Sequence, residues 1–129
     1  MKRGRKTSAT RLDDLRRTLR FLDDPVALEE SPLAALPIVQ ERAQRDFARR
    51  TCPVGLSLAA ILRESLTTIA TDLGPRHPVG VLALRLTEGA TQTEVARELM
   101  LTKEHLTRRW KPVLLRLLAL RLWKTSPGP

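Results

Sequence analysis

Lys103, Glu104, Thr107 and Arg108 form two adjacent pairs spaced four residues apart. On a helix, positions three and four apart stack on one side. Their polar groups suit base edges. Lysine and arginine donate to guanine, glutamate accepts from cytosine, and threonine can do either or meet a thymine methyl. Groups suited to phosphate oxygens surround them: Thr91, Gln92, Thr93, Thr102 and Lys111, and near the start of the chain Lys2, Arg3, Arg5 and Lys6.

The elements that must carry these side chains are short helices with explicit start and stop signals. Thr91 and Glu94 have the T-x-x-E spacing of a capping box, which starts a helix near Gln92. Gly89 can end the preceding helix in a left-handed conformation. From Gln92 to about Met100, Val95, Ala96 and Leu99 share one face, and Leu101 follows as a buried plug. Thr102 is a second N-cap, opening a helix at Lys103 in which Leu106 and Trp110 face inward. Lys111 precedes Pro112, so this second helix is expected to end or kink there after about two turns.

GATQTEVARELMLTKEHLTRR resembles the helix-turn-helix of sigma-factor region four and of LuxR-type response-regulator domains. The likeness spans about Leu84 to Leu114. It rests on Gly-x-Thr, an apolar residue followed by Ala, Glu-Leu, an apolar residue, and then Thr opening the recognition helix. Met100 stands where such motifs carry glycine at the turn. Arg109 stands where a second apolar residue is usual, with Trp110 one position later to do that packing. The resemblance implies a bacterial-type transcriptional regulator that reads double-stranded DNA through the major groove. Lys103, Glu104, Thr107 and Arg108 would then face bases, and the threonines, Gln92 and Lys111 would hold phosphates.

Charge distribution agrees with a nucleic-acid partner. The net charge is +9, unevenly spread. Residues 1–20 hold eight Lys or Arg against two Asp, residues 21–90 seven against nine acids, and residues 91–129 eight against three Glu. A near-neutral middle with basic ends fits a scaffold carrying a basic arm and a basic reading helix. Arginine-rich ends also serve solubility, so charge alone leaves the partner open.

Other chemistries find little support. With Cys52 alone, and His77 and His105 as the two histidines, spacing assembles no disulfide, zinc site or metal cluster. The six glycines are scattered rather than gathered into a phosphate loop, and there is no tyrosine. No cofactor, no metal and no catalytic activity are expected. Phe21, Phe47, Trp110 and Trp123 form no stacking array for single strands. Basic Met1–Lys6 is not followed by an apolar leader. Val113–Trp123, broken by Arg116 and Arg121, is too short to span a bilayer. A cytoplasmic, nucleoid-associated location without membrane contact is the expectation.

Leucine at three- and four-residue spacing predicts an all-α, multi-helix domain. Residues 1–7 read as a disordered basic arm, 8–74 as an N-terminal helical region, 75–124 as the helix-turn-helix region with a leucine-rich last helix, and 125–129 as a disordered tail. Leu12, Leu15, Leu19 and Leu22 form one apolar seam, with Arg16, Arg17 and Arg20 off it. Asp13–Asp14, Asp23–Asp24 and Glu29–Glu30 read as solvated helix ends. A helix from Ile38 to about Arg50 would turn Arg42 to solvent. Ser57 would cap a core helix ending at Leu73, and Val79–Thr87 would bury Val81, Leu82, Leu84 and Leu86.

The last helix, Val113–Lys124, is apolar on nearly all sides. It is either embedded among the others or partly covered by a second copy of the chain. Two rivals therefore stand beside sequence-specific DNA binding. One is a protein-interaction module for RNA polymerase or a partner regulator. The other is a nonspecific nucleic-acid binder working through its basic arm.

Overall fold

A computed structural model describes residues 8–125, and within them the chain is all-helical. The expected arm, with Lys2, Arg3, Arg5 and Lys6, lies outside the described residues, as does the tail beyond Thr125.

Helix α4 (Pro53–Leu73) is the hub, packed by α2 (Pro25–Leu28), α3 (Pro37–Asp46), α5 (Pro78–Thr87) and α8 (Lys111–Thr125). It starts at Pro53 after Cys52, which takes a left-handed φ of 57°, and stops at Gly74 with φ 91°. Ser57 is therefore not its cap. It lies inside the helix, fully buried, and its hydroxyl donates to the Val39 carbonyl at 2.7 Å, tying α4 to α3. Leu58, Leu62 and Leu66 are wholly buried along one stripe. Each is worth about 1.5–3 kcal/mol of burial. The helix has the length and composition to cross a bilayer, but here its stripe faces the protein core.

The close approaches to α4 are made by small residues and completed by charge. A Cβ on Gly55 would lie 1.9 Å from the Pro25 carbonyl oxygen, so α2 crosses where there is no side chain. Glu29 accepts the Gly55 N–H at 2.6 Å. Arg42, expected in solvent, instead makes a two-pronged pair with Glu64 at 2.6 Å across α3 and α4. Its long stem lies along the surface while the guanidinium finds a carboxylate one helix away. Helix α3 also ends early, at Asp46, where Phe47 leaves helical geometry with φ −129°.

Helix α1 (Ser8–Leu19) packs on α8, and its Leu15, Leu19 and, beyond its end, Leu22 are buried in the common core. The acidic pairs are mostly engaged. Asp24 caps α2, Asp13 pairs with Arg16 and Arg17, and Asp23 pairs with Arg63. Asp14 is buried rather than solvated, because its face of α1 turns toward the core. In α5 it is Ala83, not Leu84, that lies inside; Leu84 is exposed, and Val81 and Leu86 are half-buried.

Helix α8 shows little surplus apolar surface. Leu114, Leu115, Leu118 and Leu122 are buried and Val113, Leu117, Ala119 and Trp123 half-buried; Leu120 is its one exposed large apolar side chain among the described residues. The surplus that suggested a second copy shrinks to Leu120.

Candidate nucleic-acid interface

Helix α6 (Gln92–Glu98) and helix α7 (Lys103–His105) sit at the edge of this core, joined by a turn that hydrogen bonds define completely. The capping box is present: the Glu94 N–H donates to the Thr91 hydroxyl at 3.1 Å, and the Thr91 N–H donates to Glu94 Oε1 at 2.8 Å. The Thr91 N–H, and after it the Thr91 side chain, hold the Glu94 carboxyl below its ordinary range. Two Schellman turns bracket α6. After α5, Gly89 has φ 82°, and the Ala90 N–H reaches back to the Arg85 carbonyl at 3.0 Å. After α6, Met100 takes φ 60°, and the Leu101 N–H reaches the Ala96 carbonyl at 2.8 Å. Met100 thus adopts the conformation for which glycine is the usual residue. Its side chain points away, 91% exposed. Leu101 is half-buried, a looser plug than its position predicts.

Thr102 caps the next helix, accepting the His105 N–H at 3.0 Å. That helix does not end at Lys111. A π-turn over Leu106–Trp110 widens it, the Lys111 N–H bonds the Leu106 carbonyl five residues back, and α8 follows without a break. The widened turn carries the carbonyls ahead of Pro112 out of the ring's way, so the proline is absorbed instead of stopping the chain. Lys103 through Thr125 are in consequence continuously helical, and the exposed end is an extension of a core helix.

Packing fixes this end firmly. Val95, Ala96 and Leu106 are buried. Arg85 of α5 grips Glu98 of α6 at 2.8 and 2.9 Å and Glu88 at 2.9 Å, which raises its own pKa and lowers that of Glu98. Trp110 is half-buried and meets the His77 ring edge-on at 6.0 Å, while exposed Arg109 lies over its face at 5.2 Å. Arg109 thus covers the Trp110 ring while staying exposed itself.

Lys103, Glu104, Thr107 and Arg108 are all exposed, in two adjacent strips. Glu104 and Arg108 pair with each other at 3.2 Å, with side chains 75% and 80% exposed, a contact that water and salt weaken readily. Lys103 and Thr107 line a groove of about 500 Å³, together with Thr91, Gln92, Thr93, Lys111, Pro112 and Leu115 and, from α1, Arg16 and Arg20. The Thr107 hydroxyl bonds Gln92 Oε1 at 3.1 Å, linking the two helices. The Thr102 hydroxyl accepts as a cap and keeps its own proton for an outside acceptor, whereas that of Thr91 is turned to the Glu94 carboxylate. Lys111 is half-buried, not free in solvent, and its ammonium pKa is lowered by burial and by the neighbouring charges of Arg16 and Arg20.

Arg16 and Arg20 are additions that sequence reasoning did not attach to this surface. Their four-residue spacing off the leucine seam shows that they share a side of α1. Nothing local shows that this side faces a helix some ninety residues later. Comparison with protein-family models, curated proteins and solved structures gave no match for this chain.

Proposed function

We propose that this protein binds double-stranded DNA in a sequence-dependent manner, as a transcriptional regulator whose helix from Lys103 enters the major groove. The supporting observation is the turn geometry: a Thr91 cap, a left-handed Met100 and a Thr102 cap present Lys103, Glu104, Thr107 and Arg108 together on an exposed helix end. A rigid helix end with a polar, basic face is what direct readout requires. The exposed Glu104–Arg108 pair can open at little cost, freeing an acceptor and a two-pronged donor for base edges.

The test is selection of duplexes from a random pool by the purified protein at about 150 mM salt, where the screening length is about 8 Å and weak nonspecific attraction is suppressed. An enriched motif is expected. Arg108→Ala should relax the preference at one base position, at a cost of about 1–3 kcal/mol. Lys111→Ala should weaken all sequences alike. Binding without enrichment would move the reading to a nonspecific binder, and no binding would move it to a protein-interaction module.

A further inference from the structure

The groove between α1 and the reading helix is lined by four cations, Arg16, Arg20, Lys103 and Lys111, and by no carboxylate. Three of them crowd together. Lys111 is half-buried with Arg16 and Arg20 as its charged neighbours. Arg16 shares Asp13 with Arg17. Arg20 has no ion-pair or side-chain hydrogen-bond partner among the described residues. An adjoining depression of about 410 Å³, lined by the same Arg16, Arg20 and Lys111, also holds Asp23 and Asp24, but these carboxylates are engaged by Arg63 and by the cap of α2. Like charges gathered at a half-buried point repel, and a fold keeps such a cluster at a cost unless an anion completes it.

We infer that Arg16, Arg20 and Lys111 form a phosphate cradle, in which helix α1 grips the DNA backbone beside the groove that the reading helix enters. This rests on the DNA-binding reading and extends it to an element outside the helix-turn-helix. Arginine offers paired donors to phosphate oxygens, and lysine adds a point charge. Set against the Lys103–Thr107 strip, the cradle fixes the reading helix in register on the duplex. Such contacts position a protein without reading sequence.

The experiment is duplex binding by fluorescence anisotropy as a function of salt, with the full chain and a selected or generic duplex. Removing one cation from a phosphate lowers the slope of log K against log salt by about 0.9. Arg16→Gln with Arg20→Gln should lower the slope by about one to two units and weaken all duplexes alike. Arg20→Lys, which keeps the charge, should hold most of the slope. Arg49→Gln with Arg50→Gln removes the same charge from the connection between α3 and α4 and should leave the slope nearly unchanged. Both arginine pairs are exposed, so folding persists, and a thermal melt verifies it. If the Arg16/Arg20 variant keeps the wild-type slope, or the Arg49/Arg50 variant loses as much, the cradle is overturned and DNA binding stands. If the wild-type protein binds no duplex, the DNA reading itself falls, and the cradle with it.

Discussion

At the scale of single residues, two positions on the exposed edge sit against their own stability. Met100 holds a left-handed backbone with its side chain in solvent. An L-residue there costs about 1–2 kcal/mol. Glycine would remove that cost while giving back about 0.5–1 kcal/mol through a freer unfolded chain. Met100→Gly should therefore stabilise the protein by roughly 0.5–1 kcal/mol, read as a higher urea midpoint at unchanged slope; a lower midpoint would mean that the methionine makes interactions worth more than its strain. Lys111 is the second such position. Its pKa is lowered on folding, so the folded chain holds that proton less tightly than the unfolded one. The charge thus costs stability at neutral pH, and the cost fades as pH rises through the lowered value toward the ordinary 10.5. Lys111→Met should raise the melting temperature at low salt, by less at high salt, while weakening duplex binding. A lower melting temperature in both buffers would show that the ammonium is satisfied within the fold.

At the scale of elements, caps are legible in the sequence and crossings are not. The Thr91–Glu94 box, the Thr102 cap and the left-handed Gly89 follow from local chemistry, and the structure has all three. Of the end or kink expected at Pro112 the end does not occur, because a proline's effect depends on the turn before it, and here five residues of π-helix precede it. Ser57 has the chemistry of a cap, but Pro53 starts the helix a turn earlier and leaves the serine facing Val39. Nor does sequence show Gly55 as a crossing point, since the other partner is the carbonyl of Pro25, thirty residues earlier. Gly55→Ala tests that crossing. On an isolated helix alanine is favoured by about 1 kcal/mol. Here its Cβ would fall 1.9 Å from a backbone oxygen, and overpacking that cannot be relieved by a rotamer costs about 1–3 kcal/mol or more. The urea midpoint should fall; a rise would mean that α2 is free to move off α4.

At the scale of the whole molecule, folding joins what the sequence keeps apart. The basic first twenty residues and the basic last forty flank a near-neutral middle. Packing of α1 on α8 brings Arg16 and Arg20 beside Lys111 and Lys103, so part of both basic ends meets on one surface. The chain must hold that surface together against a net charge of +9, and carboxylates paired with arginines at the surface offset a modest part of that repulsion. Asp13, Glu64 and Glu98 all have pKa values lowered by an arginine partner, and Glu94 by its capping bonds. Groups with lowered folded pKa values contribute stability above their ordinary values, 3.8 for Asp and 4.5 for Glu, and lose it as pH falls through the lowered ones. Each proton taken up also adds to the existing positive charge. Stability should accordingly be flat from about pH 5 to 8 and fall steeply below about pH 4, with added salt recovering part of the loss by screening repulsion. Glu64→Gln with Glu98→Gln should lower stability at neutral pH and flatten the acid limb, because two of the protonations that drive it are gone. Urea midpoints measured across pH for both proteins decide this: parallel acid limbs would mean that the α3–α4 and α5–α6 ion pairs contribute nothing to holding the basic surface in place.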